Sequence, residues 1–368
     1  MVIRELTKLP INRIRAEVRS VDGYHLKSYD CPVKLNQNES PFDVPDDLKD
    51  RILERVRQRP WSRYPEPMPM DLVAALAHRS GWDPRGTMVC NGSNTLVQLV
   101  LSVSTSQGTK VVIPSPSFSL YGLYAGIFGG EVVNVPLTQD FRFDTNLIRE
   151  TVTKEDANCV ILCSPNNPTG CAISNGELEE LLDTTDALVL VDEAYGEFND
   201  WSARDLLANH RNLIILKTFS KALGTAGIRI GYLLAHPELT QQILKAKIPF
   251  DINVFSHVAA MCILEQEGLI KKRIAYISRE RDRVFNALQS IEGVTPYPSH
   301  ANLILFEVED PHWIFETLVE QGVLIRNVTG YPMLSRALRV SIGQREENDQ
   351  FLEALSQSLK EPAAARRS

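Results

Sequence analysis

The chain has 368 residues, 43% of them hydrophobic and 23% charged, and carries a net charge of -7 at neutral pH. That length suits one large domain plus a smaller one, and an acidic balance without a Lys/Arg-dense stretch argues against nucleic acid as a partner. No run reaches the length of a membrane span, and the charged opening MVIRELTKLPINRIRAEVRS has no apolar segment of the secretory kind, so a cytoplasmic protein with no membrane association is expected.

Residues 1–35 read as an N-terminal arm with one short amphipathic helix. LNQNESPFDVPDD (35–47) is turn-rich and leads into a helix near Leu48–Arg57. RPWSRYPEPMPMD (59–71) contains four prolines, so it should be extended and stiff, able to reach a neighbouring subunit or simply to join two helices. Asp71 is expected to cap a helix running to about His78. Thr87–Cys90 reads as a strand. Gly92, Ser93 and Asn94 then open an apolar helix whose free N–H groups and positive dipole end suit a phosphate, although an ordinary N-cap reads the same way.

From there apolar strands alternate with helical segments. Strands are expected at Lys110–Ile113, Val132–Val135, Cys159–Cys163, Ala187–Val191 and Asn212–Leu216, and helices at Ser119–Phe128, Asn146–Thr151 and Ser174–Asp183. Continuous apolar strands between helices indicate an α/β fold with a parallel or mixed sheet covered on both faces. Ligands of such sheets bind beyond the strand carboxyl ends. The six cysteines (Cys31, Cys90, Cys159, Cys163, Cys171 and Cys262) lack paired ligand spacing, so they read as small core residues and no metal site is expected.

Four strand ends carry unusual turns. PSPSFSLY holds Phe118 and Tyr121, SPNNPTG (164–170) holds Asn167, and DEAYGEF (192–198) holds Asp192 and Tyr195. KTFSKALGTAGIRIG (217–231) places Lys221 beside Ser220, among glycines, with Arg229 eight positions on. An aldehyde needs a lysine, a protonatable ring nitrogen needs a carboxylate, and a phosphate needs N–H groups, hydroxyls and an arginine. Pyridoxal 5'-phosphate meets that description.

The last third, from Pro249, should form the smaller α+β domain. Helices are expected at Val254–Glu267, Lys271–Ile291 and Pro311–Gln321, with strands at Asn302–Phe306 and around Val323–Arg326 and Leu338–Ile342. VLIRN and LRVSIG set Arg326 and Arg339 among apolar neighbours, where they need anionic partners, either an internal acid or a bound anion. The tail EPAAARRS (361–368) should be disordered.

SPNNPTG, DEAYGEF and KTFSKALGTAGIRIG, in this order and spacing, resemble the fold type I pyridoxal-phosphate aminotransferases, and within them the histidinol-phosphate aminotransferase family. The likeness runs from LNQNESP to ALRVSIGQREEND. It implies a large cofactor-binding domain (36–248) with a mostly parallel seven-stranded sheet between helices, a small C-terminal domain (249–360), and an arm packed with the latter. It makes Lys221 the Schiff-base lysine and proton-moving base, with Asp192 on the ring nitrogen, Tyr195 and Asn167 on the ring hydroxyl, and Phe118 on the ring face. Ser93, Asn94, Thr218, Ser220 and Arg229 would hold the cofactor phosphate, and Tyr64 would reach it from the partner subunit of a homodimer. Arg326 and Arg339, with Tyr24, Asn38 and Asn167, would bind the substrate. Where the family motif often has Asp-Glu or Ala-Asp, this chain has Ser93-Asn94, so side-chain contacts there depart from the pattern.

The implied reaction converts histidinol phosphate and 2-oxoglutarate to imidazole-acetol phosphate and glutamate, a step of histidine biosynthesis. Alternatives on the same scaffold are an aromatic or other amino-acid aminotransferase, a threonine-phosphate-type decarboxylase, or a non-catalytic binding protein, against which intact Lys221 and Asp192 count.

Overall fold

A computed structural model describes residues 10–23 and 27–360; Tyr24 and the 361–368 tail lie outside the described residues. After a short arm strand, β1 (Val33–Lys34), the large sheet is built from β2 (Thr87–Cys90), β3 (Lys110–Ser115), β4 (Glu131–Pro136), β5 (Cys159–Cys163), β6 (Leu188–Asp192), β7 (Leu213–Thr218) and β8 (Gly231–Ala235). Their order across the sheet is β2-β8-β7-β6-β5-β3-β4. The pairings from β7 across to β4 are parallel, whereas β8 runs antiparallel to both neighbours. This is the expected α/β sheet with one strand that the pattern did not announce. GYLLA lies directly against the glycine-rich turn, so its five buried residues read as the end of that turn rather than as a strand.

All residues of β5 are buried, as the unbroken run CVILC requires when both faces of a sheet are covered. Removing a side chain such as Ile161 or Leu162 from water stabilises the fold by roughly 1.5–3 kcal/mol. The helix Ser93–Ser104 packs on β7 and β8, and the helix Thr145–Glu155 on β3 and β4.

The second sheet comprises β9 (Thr295–Pro296), β10 (Leu303–Glu307), β12 (Arg326–Asn327) and β13 (Ala337–Ser341), antiparallel in the order β12-β13-β10-β9. Between them in sequence, β11 (Val323–Leu324) pairs in parallel with β1 of the arm. The arm also touches the other unit, since its helix Ala16–Arg19 packs on the helix Leu120–Ile127. The C-terminal helix Arg345–Lys360 was not anticipated, although its buried Phe351, Ala354, Leu355 and Ser358 follow helical spacing. The helix Val254–Leu264, assigned by sequence to the smaller unit, packs on the helices Asp46–Arg57 and Met70–Ser80.

Asp71 does not cap its helix. Pro69 occupies the N-cap position of Met70–Ser80, and Asp71 sits in the first turn with its carboxylate 2.7 Å from His257 Nε2. A carboxylate there still complements the helix dipole.

Candidate active site

A cavity of about 460 Å³ opens where the carboxyl ends of β3, β5, β6 and β7 meet the arm segment 36–39 and the second sheet. Asp192 is the last residue of β6 and is 3% exposed. Its Oδ2 accepts a hydrogen bond from the Tyr121 hydroxyl at 2.8 Å, and its Oδ1 accepts from the Ala194 N–H at 3.0 Å. Burial raises its pKa to about 6, against the opposing pull of those donors and of the Lys221 charge.

Lys221 follows β7 by three residues. Its Nζ donates to the Gln37 carbonyl at 2.8 Å and lies 5.8 Å from the Tyr195 ring centroid. The open cavity leaves part of its surface accessible, yet protein surrounds the amine. That burial, with the charges of Arg339 and Arg229, depresses its pKa to about 8. An amine in that range is available as nucleophile and base near neutral pH.

Lys217, four residues earlier, has the opposite electrostatics. Burial acts to lower its pKa, but Glu193 at 2.9 Å and Glu197 at 3.4 Å outweigh it and hold the ammonium well above its ordinary range. Successive strand residues point to opposite faces. Asp192 therefore faces the cavity, while Glu193 turns away to accept from Ser202 Oγ and the Ala203 N–H.

The other end of the cavity gathers a helix N-terminus, hydroxyls and an arginine, a cradle of the groups an anion would need. The twelve-residue helix Ser93–Ser104 starts at Gly92, which has a φ of 83° that favours glycine. Ser93 and Asn94 at this helix start, with Thr218, Ser220 and Arg229, all line the cavity. Thr218 Oγ1 donates to Ser220 Oγ at 3.1 Å, and Arg229 donates to Ser220 Oγ at 3.4 Å and to the Ala226 carbonyl at 2.9 Å. Arg229 has a left-handed backbone (φ 56°), a conformation that costs a non-glycine residue about 1 kcal/mol or more. Gly231 is what lets the strand come so close. A Cβ there would lie 2.3 Å from the Ser93 nitrogen and 2.6 Å from the Gly92 carbonyl carbon.

The arm and second sheet close the cavity from the opposite side. Asn38, with a φ of 53° and 1% exposure, donates through Nδ2 to the Tyr195 hydroxyl at 2.8 Å. Its own amide oxygen accepts from Ser341 Oγ at 2.9 Å, and its carbonyl accepts from Asn302 at 3.1 Å. Arg339 donates to Asn167 Oδ1 and, at 2.6 Å, to the Asn36 carbonyl. Arg326 and Arg339 are cross-strand partners on β12 and β13, and both line the cavity.

Of the residues singled out by sequence, thirteen thus line this one cavity: Asn38, Ser93, Asn94, Phe118, Asn167, Asp192, Tyr195, Thr218, Ser220, Lys221, Arg229, Arg326 and Arg339. Tyr64 does not. It is 85% exposed on the 58–69 segment, which turns at 58 and 61–62 instead of running extended, with its ring 5.1 Å from that of Phe250. Sequence reasoning gave no role to Tyr121, Gln37, Glu39, Cys163 or Tyr331, which also line the cavity. Tyr121 had a signal, a phenol one helical turn after Phe118. Gln37 had none, because it acts through its main-chain carbonyl.

The chain matches the family model described as aminotransferase class I and II over residues 32–355. It is 42% identical to a histidinol-phosphate aminotransferase of Chlorobaculum tepidum, over 90% of this chain and 97% of the relative. Among solved structures it is similar to the histidinol-phosphate aminotransferase of Sinorhizobium meliloti in complex with pyridoxal-5'-phosphate, with a TM-score of 0.86, 24% identity, and coverage of 95% of this chain and 98% of that one. It is also similar to the L-threonine-O-3-phosphate decarboxylase of Porphyromonas gingivalis (TM-score 0.79, 24% identity, coverage 89% and 100%). At these identities the solved structures establish a shared fold.

Two predictions follow from the geometry. Gly231→Ala forces the start of the Ser93–Ser104 helix away from β8, so it should lower stability by roughly 1–3 kcal/mol and weaken anion binding at the cradle at least tenfold. Denaturant melts and titration with pyridoxal 5'-phosphate check this; unchanged anion affinity would refute the close-approach argument. The second concerns Lys221, whose folded pKa of about 8 lies below its unfolded value. The cost of burying its charge is full below pH 8 and disappears as pH rises toward the unfolded value, about 10.4. In the cofactor-free protein, Lys221→Met should therefore be more stable than the parent by roughly 1–2 kcal/mol below pH 8, with the gap closing above it. A gap independent of pH would contradict the depressed pKa.

Proposed function

The chain belongs to the class I and II aminotransferase family, and on that premise we propose that it is a pyridoxal-phosphate aminotransferase acting on histidinol phosphate and 2-oxoglutarate to give imidazole-acetol phosphate and glutamate. The observation that carries the substrate assignment is the Arg326–Arg339 pair. Both guanidinium groups line the same cavity, and a phosphate monoester there would accept charge-assisted hydrogen bonds from them. The 42% identical relative is named for the same substrate.

The residues present fit the cofactor. Lys221 offers an amine of depressed pKa, Asp192 a buried carboxylate, Phe118 a ring face, Asn167 and Tyr195 polar groups for a ring hydroxyl, and the Ser93–Arg229 cradle a phosphate site. When bound, the cofactor supplies an aldehyde that carries the substrate amine and an electron-withdrawing ring that acidifies the proton on the substrate's α carbon. Lys221 Nζ, neutral in part near pH 8, takes that proton and holds it for return. Asp192 is ionised above about pH 6 and keeps a positive ring nitrogen in place. Asn38, which donates to the Tyr195 oxygen, leaves the Tyr195 proton free to be donated into the cavity. Arg339 orients Asn167 in the same sense, by occupying its amide oxygen.

We extend the proposal to a cytoplasmic homodimer with a division near residue 249 between a large and a small domain. Supporting the dimer, Trp61, Tyr64, Met70, Ile248, Phe250 and Phe255 are exposed, and two ring pairs, Trp61–Phe255 and Tyr64–Phe250, link the two stretches that carry them. In such a dimer Tyr64 would serve the partner's phosphate cradle. The compartment is supported by free cysteines throughout and by the absence of any helix long and apolar enough to cross a membrane, both among the described residues.

The test is one half-reaction, followed by the visible absorbance of the cofactor-loaded enzyme without a keto acid. Histidinol phosphate should change the spectrum far faster than phenylalanine, and threonine phosphate should release no carbon dioxide. Arg326→Ala should raise KM for histidinol phosphate ten- to a hundredfold, the loss of one or two charge-assisted hydrogen bonds, and leave kcat within a few-fold. A faster response to phenylalanine would make the arginines carboxylate binders, and carbon dioxide from threonine phosphate would make this a decarboxylase.

A further inference from the structure

Asp192 depends on a residue that nothing in the sequence motifs assigns. Tyr121 lies on the helix Leu120–Ile127 after β3, 1% exposed, with its hydroxyl 2.8 Å from Asp192 Oδ2. Its ring meets the ring of Phe118 edge-on, with centroids 5.5 Å apart and planes at 82°. One side chain therefore braces both the carboxylate and the aromatic plate of the cavity.

We propose that Tyr121 is a positioning residue that keeps the shared proton on the cofactor's ring nitrogen rather than on Asp192. The inference rests on the reading that Asp192 faces that nitrogen. A phenol has one proton to give, and the Tyr121 proton goes to Asp192. Burial raises the phenol's own pKa far above neutrality, so it remains a donor throughout the working range. A donor to the charged form of a carboxylate makes that carboxylate a weaker base. In a pair where one proton lies between Asp192 and a pyridine nitrogen, weakening the carboxylate moves the proton toward nitrogen. The ring then stays positive and electron-withdrawing, which the chemistry requires.

The other charged or titratable groups around Asp192 do not supply this. Cys163 on β5 and Tyr195 are neutral, their pKa values raised by burial. Glu193 raises the Asp192 pKa and is itself compensated by Lys217. Lys221 acts in the same direction as Tyr121 but surrenders its charge during turnover. Tyr121 and the Ala194 N–H are the permanent donors, and only Tyr121 can be removed by substitution.

Tyr121→Phe removes the hydroxyl and keeps the ring against Phe118. A hydrogen bond to a charged group corresponds to a tenfold or larger shift in proton equilibrium. With cofactor enriched in nitrogen-15 at the ring, the nitrogen resonance of the loaded variant should move toward the unprotonated position, and its titration should shift by about one pH unit. kcat should fall about tenfold with KM for the amino donor little changed, and Tyr121→His, which restores a donor, should recover part of both. A purely structural role would lower thermal stability without moving the nitrogen resonance, and that outcome overturns the proposal while the cofactor reading stands. Failure of the parent protein to bind pyridoxal 5'-phosphate overturns both.

Discussion

Asp192 and Lys221 sit at the ends of neighbouring parallel strands, β6 and β7, and both ionisable groups are withdrawn from bulk water while held by neutral partners. Burying an ion costs several kcal/mol unless hydrogen bonds or a counter-charge compensate it. A simple fold would have joined the two in a salt bridge. Here the carboxylate is held by a phenol and a main-chain N–H, and the amine by a main-chain carbonyl from the arm. Both groups are therefore left with displaced pKa values, about 6 and about 8, and both are available to a third body between them. The pair Lys217–Glu193 at the ends of the same two strands shows the alternative, a carboxylate and an ammonium joined directly at 2.9 Å.

That separation is maintained by elements from both ends of the chain. The arm segment 36–38 supplies the Gln37 carbonyl to Lys221, the Asn38 amide to Tyr195 and the Asn36 carbonyl to Arg339. The second sheet fixes that segment through Ser341 and Asn302. Three consecutive residues in LNQNESP thus connect Lys221, Tyr195 and Arg339. They do so partly through main-chain atoms and a left-handed asparagine.

How much of this was legible follows from which atoms do the work. Strands such as Cys159–Cys163 were readable to the residue, because a strand buried on both faces must be an unbroken apolar run. The side chains at the four strand ends stood out because complementary chemical types follow successive strands, and Phe118, Asn167, Asp192 and Lys221 do line one cavity. β8 was hidden by its position against a glycine-rich turn, and Asp71 looked like a cap because a carboxylate in a first turn and at an N-cap give the same pattern. The Gln37 carbonyl is invisible to side-chain reasoning. Tyr121 was visible as a residue and not as a partner, since nothing in PSPSFSLY says that the phenol reaches across to β6.

The arginine pair ties the second sheet to the cavity and to the arm. Arg326 and Arg339 are cross-strand partners on β12 and β13, and Arg339 gives hydrogen bonds to Asn167 and to the Asn36 carbonyl. It is anchored to the large sheet's loop and the arm while facing the cavity. Under the proposed function, an anion that engages Arg326 would also meet Arg339, which in turn holds the Asn167 amide. Recognition of an anionic substrate end and orientation of Asn167 would then be parts of one hydrogen-bonded unit. Under the proposed function, a substrate lacking that anion would forgo these contacts, and discrimination would follow from their loss.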